Sequence, residues 1–137
     1  MKFSYDFHIH SALSPCAEEE MTPNNIVNMA VLNGLDLIAV TDHNAAGNLE
    51  AIEKCARRKN LVLVPGIEVE SEEEVHVICL FPDVKSAMEM ADMVKEHLPA
   101  IENREDILGT QYLFDEWDRI VGKAVSYTHL DVYKRQN

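Results

Sequence analysis

In Leu35-Asp36-Leu37-Ile38-Ala39-Val40-Thr41-Asp42-His43-Asn44, a nearly continuous apolar run meets four polar residues. Residues 35–40 lack the alternation of a strand with one wet face. A strand covered on both faces has this pattern, and such strands belong to parallel sheets flanked by helices. The polar residues follow immediately, at the carboxyl end, where ligand-binding groups gather in α/β sheets.

The flanking sequence supplies the rest of the unit. Upstream, Thr22-Pro23 places a capping residue before a proline at the first helical position. Ile26, Val27, Met29, Ala30 and Leu32 then recur at helical spacing up to Gly34. Before that helix, residues 3–10 read as a strand and 11–20 as a loop. Downstream, residues 47–59 form a second helical pattern ending in Arg57, Arg58 and Lys59, near the negative end of its dipole. Residues 61–64 are a third strand, stopped by Pro65-Gly66. Strand, helix, strand, helix, strand with crossovers of this length predicts parallel pairing and right-handed connections, an α/β fold. A fourth strand over 75–81 carries His76, and a helix covers 83–97. Beyond Pro99 the pattern weakens, with a hairpin of 111–114 and 119–121 turning around 115–118.

The 137 residues, 47% of them hydrophobic, suffice for one globular unit. A net charge of -12, from 24 acidic and 12 basic residues, disfavours general attraction to nucleic acid or anionic membranes. No apolar run reaches membrane-spanning length, and the start lacks the layout of a secretion signal. Cys16, Cys55 and Cys79 are odd in number and widely spaced, which suits a reducing compartment, so the expected location is cytoplasmic.

His8 and His10, in Phe3-Ser4-Tyr5-Asp6-Phe7-His8-Ile9-His10, project from one face of their strand because side chains alternate. Asp42 and His43 follow the second strand and Glu68 the third, all at the same end of parallel strands. His76 either joins them or sits as a hydrogen-bonded histidine in its apolar run. Imidazoles with carboxylates suit zinc, manganese or iron, and a carboxylate such as Glu68 is able to bridge two ions. The expected metal ligands are therefore His8, His10, His43, Glu68 and His76, with Asp6 and Asp42 orienting their neighbours. Such ions polarise a phosphoryl oxygen and lower the pKa of bound water. The expected reaction is hydrolysis of a phosphate ester, with Glu68 and His43 as the catalytic pair. Glu18, Glu19 and Glu20 and the acidic run 70–74 read as solvated surface, and His97 and His129 stand outside the site.

These motifs, in this order, resemble the PHP family, the polymerase and histidinol phosphatase domain. Asp6-Phe7-His8-Ile9-His10-Ser11 is similar to its opening segment, and Thr41-Asp42-His43-Asn44 to its second motif. Pro65-Gly66-Ile67-Glu68-Val69 is similar to the third, with Glu68 at the bridging position, and Glu74-Val75-His76-Val77 to the strand bringing a further histidine. The resemblance implies the N-terminal portion of a distorted seven-stranded (β/α) barrel with parallel strands and crossover helices. It also implies up to three divalent ions and a small phosphorylated substrate, such as histidinol phosphate or a nucleotide-sized phosphate. Its alternatives are a 3'-5' exonuclease or polymerase-associated module, or a non-catalytic metal-binding module.

Two departures stand out. Where many members carry an early acidic or histidine ligand, this sequence has Ser14-Pro15-Cys16, leaving Cys16 or Glu18 to replace it. The later histidine and Asp-x-His pair that complete the family's site are absent, and Tyr127-Thr128-His129-Leu130-Asp131 does not substitute for them. A related eight-stranded barrel takes about 250 residues. The expected organisation is thus a partial domain over 1–124 and a tail over 125–137, which resembles a translated artefact at the ends of metagenome-derived reading frames.

Overall fold

The computed structural model describes residues 1–126; His129 and most of the expected tail, residues 127–137, lie outside the described residues. The element order is β1 (Tyr5–Ile9), α1 (Pro23–Leu32), β2 (Leu37–Val40), α2 (Leu49–Arg58), β3 (Val62–Glu70), β4 (His76–Leu80), α3 (Val84–His97), α4 (Glu105–Leu108), β5 (Tyr112–Phe114) and β6 (Ile120–Lys123). A four-stranded sheet runs β1-β2-β3-β4, and β5-β6 forms a separate hairpin. β1, β2 and β3 are parallel, as the sequence predicts.

Local chemistry sets the helix ends. Thr22 caps α1 by accepting the Asn25 N–H at 3.3 Å, with Pro23 as the first helical residue. The chain leaves α1 through Gly34 at φ 69°, and the Leu35 N–H returns to the Ala30 carbonyl at 3.0 Å. α2 ends the same way through Asn60 at φ 53°, with the Leu61 N–H on the Ala56 carbonyl at 3.0 Å. Both exits turn the chain straight into a strand. The core gathers Ile38 and Val40 of β2 and Ile67 of β3 with Val27, Leu49, Ile52, Cys55 and Ala87 from the helices. Ile38, Ala39 and Val40 are fully buried, which bears out a central strand covered on both faces.

Two expectations are corrected. β3 does not stop at Pro65-Gly66 but runs through it to Glu70. Pro65 pairs with Val40 in the ladder and its carbonyl accepts the Phe81 N–H at 2.8 Å. A Cβ on Gly66 would lie 2.8 Å from Thr41 Cγ2 and 3.0 Å from the Cys79 carbonyl oxygen. Glycine is needed there for close packing between strands, not for a turn. The fourth strand is antiparallel to β3, with Glu70 opposite His76 and Gly66 opposite Leu80. A tight turn at residues 71–75 allows nothing else: the Ser71 N–H bonds the Val75 carbonyl at 3.0 Å, and Glu74 takes φ 64°.

The expected hairpin is present as β5-β6, and it is tied to the site-bearing half of the molecule. Tyr112 N–H bonds the Ala12 carbonyl at 3.0 Å, and the buried Asn48 side chain bridges the Tyr112 carbonyl (3.0 Å) and the Phe114 N–H (2.9 Å). Asp118 accepts from Thr22 Oγ1 at 2.7 Å and from the Asn24 N–H at 2.9 Å, anchoring the hairpin turn at the start of α1. Among the described residues, no helix is long and apolar enough to cross a membrane.

Candidate metal centre

The carboxyl ends of β1 and β2 and the carboxyl-terminal part of β3 meet at one pole of the sheet. His8 lies in β1 and His10 just past it. Asp42 and His43 follow β2, and His43 forms a parallel bridge with Glu68 inside β3. Because β4 runs antiparallel, its first residue, His76, returns to this same pole. All five expected ligands are thus brought together, and His76 faces Glu68 instead of the apolar core.

Glu68 is the hub. Its Oε2 lies 3.0 Å from His8 Nε2, 3.1 Å from His10 Nε2 and 3.7 Å from His43 Nδ1. Its other oxygen, Oε1, lies 2.8 Å from His76 Nδ1. The two carboxylate oxygens therefore address different imidazoles. The His8 and His10 Nε2 atoms are 3.1 Å apart, and the His10 and His43 rings stack at 4.6 Å between centroids. Burial alone would raise the Glu68 carboxyl, but hydrogen bonds from His8 and His76 and the nearby His43 and His10 hold it below the ordinary carboxylate range. Burial pushes His10 below the usual histidine value against the opposing charges of Asp42 and Glu68. An ionised carboxylate beside an imidazole whose charged form is disfavoured is suited to binding a divalent ion.

Donor spacing provides a test of fit. Ions bound by nitrogen and oxygen at about 2.1 Å keep neighbouring donors about 3.0 to 3.4 Å apart. The triangle of His8 Nε2, His10 Nε2 and Glu68 Oε2 has edges of 3.0 to 3.1 Å. His8, His10 and Glu68 form one potential ligand group and His43, Glu68 and His76 another.

Asp42 does not enter this cluster. Fully buried, it accepts the Ser11 N–H at 2.7 Å, Ser11 Oγ–H at 2.6 Å and Ser14 Oγ–H at 2.6 Å. Burial raises its carboxyl, and these hydrogen bonds oppose the rise. Ser14 Oγ also accepts the His43 N–H and lies 3.2 Å from His10 Nδ1. Because its one proton goes to Asp42, Ser14 is an acceptor toward His10, which favours a proton on Nδ1 and a free lone pair on Nε2. Asp6 accepts the His8 backbone N–H at 3.0 Å, a contact with the strand and not the ring.

Three site-pole residues were not foreseen. Ser11 and Ser14 are buried partners of Asp42, and their spacing after His10 is the signal that could have marked them. Glu70, expected in solvent, is 3% exposed with its Oε1 3.8 Å from His76 Nε2. The Asn44 side chain, on a residue at φ 50°, accepts the Glu70 N–H at 3.0 Å and ties the post-β2 turn to β3. Glu18 is exposed and belongs to none of the potential ligand groups among the described residues.

A half-barrel sheet with histidines and a carboxylate at its carboxyl pole defines an α/β protein built around a metal centre. The PHP domain profile matches residues 6–130, and the chain belongs to this family. It is 31% identical to a 3',5'-nucleoside bisphosphate phosphatase of Chromobacterium violaceum, over 55% of this chain and 26% of that protein. It is 26% identical to a 5'-3' exoribonuclease of Haemophilus influenzae, over 58% of this chain and 29% of that protein. Among solved structures it resembles an amidohydrolase from Chromobacterium violaceum, determined with bound sulfate and no metal, at a TM-score of 0.57 and 29% identity. That match covers 68% of this chain and 32% of the other. The chain thus spans about a third or less of the length of these proteins.

Proposed function

We propose that this chain carries the ion-holding part of a metal-dependent phosphoesterase that hydrolyses a small phosphate ester with ion-activated water. The observation that carries the reading is the orientation of Glu68, whose two oxygens face separate imidazole sets. His8, His10, His43, Glu68 and His76 would hold divalent ions of the zinc, manganese or iron type. Such ions supply Lewis acidity toward a phosphoryl oxygen and a water that ionises near neutral pH. The remaining chemistry belongs to the chain. Glu68 keeps its charge and places it between the two imidazole sets, and His43, packed against His10 and Glu68, completes the wall beside the reacting phosphate. Asp42, through Ser14, keeps the His10 Nε2 lone pair directed at the site.

A nucleotide-sized phosphate is the favoured substrate class, supported by the nucleoside bisphosphate phosphatase relative. Histidinol phosphate remains a competitor within the same reading. A reducing, cytoplasmic setting belongs to the proposal, supported by three free cysteines. The exoribonuclease relative favours a second reading, exonucleolytic attack on nucleic acid. Against it, α2 runs away from the site pole, so Lys59 closes the helix toward the far ends of the strands, and the Arg58 guanidinium is taken up by the Glu116 carbonyl at 2.7 Å and the Trp117 ring.

The test is phosphate release from a 3',5'-nucleoside bisphosphate, histidinol phosphate and a short RNA, with zinc, manganese or ferrous ion and after chelation. Ion-dependent release from the bisphosphate, abolished by His10→Ala with His43→Ala, is the expected result. Ion binding without turnover on any substrate would make the domain a non-catalytic metal-binding module. Turnover of RNA alone would move the assignment to the nuclease reading.

A further inference from the structure

We propose that Cys16 is a thiolate ligand, forming with His10 and His43 an ion position softer than the imidazole and carboxylate position around Glu68. The proposal rests on reading this pole as a metal centre. One ligand atom from each of His10, Cys16 and His43 lies within 4.8 Å of the others. This is the spacing of groups able to close on one ion. Of the three free cysteines, Cys55 is buried with its thiol on the Glu116 carbonyl at 3.4 Å, and Cys79 lies on β4 near the Val77 carbonyl. Of the three cysteines, all among the described residues, only Cys16 shares a ligand group with two imidazoles.

The backbone holds Cys16 in this place. The Ser14 N–H bonds the Ser11 carbonyl at 3.0 Å and the Ala17 N–H bonds the Ser14 carbonyl at 3.1 Å, so Cys16 sits inside a tight turn. Ser14 in turn is tied to Asp42 and to the His43 N–H. The segment bearing the thiol is therefore fastened to the segment bearing one of its imidazole partners. Of the two residues that the sequence offers here, Cys16 belongs to a ligand group and Glu18 does not.

The donor chemistry then separates two positions. Two imidazoles and a thiolate favour zinc, ferrous or cobaltous ion, whereas magnesium and manganese prefer oxygen. Glu68 Oε2, 3.1 Å from His10 Nε2 and 3.7 Å from His43 Nδ1, stands beside this group as a fourth donor. Because an imidazole nitrogen binds one ion at a time, His10 and His43 are then committed to this position, which leaves His8 and His76 for its neighbour. Glu68 Oε1 and His76 face away from it, toward the neighbouring position. On binding, the Cys16 S–H bond breaks, its proton passes to solvent buffer and a sulfur–metal bond forms. The step involves no change of oxidation state.

The experiment is a cobalt titration of the metal-free 137-residue chain, with Cys16→Ser alongside. The expected result is a near-ultraviolet thiolate-to-cobalt charge-transfer band in the original chain. In Cys16→Ser this band is lost, visible cobalt absorption from the remaining ligands is retained and zinc affinity is lower by about tenfold or more. A second readout does not require the variant to fold: bound zinc protects Cys16 from iodoacetamide, scored by peptide mapping. Cobalt binding without the charge-transfer band, a band that survives in Cys16→Ser, or alkylation unaffected by zinc would each overturn the proposal while leaving a metal centre in place. Failure of the original chain to bind either cobalt or zinc would overturn the metal reading itself.

Discussion

At the carboxyl ends of β1–β3, Asp42, His43, Glu68 and Glu70 are each 5% exposed or less, whereas at the opposite ends of the same strands Arg57, Arg58 and Lys59 stand in solvent. The exposed pole needs little support. Arg57 pairs with Glu53 one helical turn away, and Arg58 lies over the Trp117 ring at 4.4 Å while donating to the Glu116 carbonyl. The buried pole is tied by several segments at once: the loop after β1, the turn after β2, the end of β3 and the start of β4. Buried charge without partners costs several kcal/mol per group, on the order of a domain's whole stability. Burying these four polar residues together, with three donors spent on Asp42 alone, sets this pole apart from the rest of the sheet as the place where local rules for stability are relaxed.

Glu68→Ala should break this contrast most completely. It removes the one anion facing four imidazoles, so zinc affinity, read by competition with a chromophoric chelator, should fall by more than about 100-fold. The thermal stability of the metal-free chain should change far less, because relief of burial offsets the lost hydrogen bonds. An affinity loss below tenfold would remove Glu68 from its central role.

Asp42→Ala should come next, acting through structure. Ser11 N–H, Ser11 Oγ–H and Ser14 Oγ–H would all lose a buried acceptor. The expected cost is about 3 kcal/mol in urea denaturation, together with a metal affinity loss of about 10- to 100-fold as His10 loses its orienting partner. A stable variant with unchanged affinity would show that the Asp42-Ser14-His10 chain does no positioning.

The same contrast explains what the sequence disclosed. Apolar runs and helix caps carry short-range signals, so β1 to α2 and their parallel order could be read directly. The convergence of His8, His10, His43 and Glu68 followed, since position at a strand's carboxyl end depends only on strand order and direction. The direction of β4 was hidden by Pro65-Gly66. With the third strand ended at residue 64, the gap to Val75 appears long enough for a loose connection. With β3 running to Glu70, five residues remain, and only a hairpin fits. That error also left Glu70 in an acidic surface run, where its burial against His76 depends on pairing that no local pattern records. Ser11 and Ser14 were missed for a related reason: serines in a loop acquire their role only when Asp42 arrives from 28 to 31 residues away.

Gly66→Ala tests this account at smaller cost. The new methyl group would meet Thr41 Cγ2 at 2.8 Å and a backbone carbonyl at 3.0 Å, and the carbonyl belongs to a paired strand that cannot easily yield. A loss of about 1 to 3 kcal/mol is expected. Because Gly66 lies two residues before Glu68, a weaker zinc affinity should accompany it. Were Gly66 a turn glycine, alanine would instead disturb the chain through backbone strain without moving β4 against β3. Amide exchange of the Cys79 and Leu80 ladder separates the two cases.

Arg57→Ala is the smallest expected change and the sharpest check on the far pole. The Arg57–Glu53 pair is 3.1 Å long, but Arg57 is 75% exposed, and solvent screens most of its attraction. The expected loss is within about 0.5 kcal/mol, with zinc affinity and phosphate release unchanged. Adding Lys59→Ala probes the cluster as a surface for polyanions, since a net charge of -12 leaves few other places to meet one. If the basic pole recruits nucleic acid, the double variant lowers the affinity for a short RNA and flattens its salt dependence while small-ester hydrolysis is preserved. If RNA affinity and its salt slope stay the same, the cations serve only to end α2, and chemistry in this domain is confined to the pole that buries its charges.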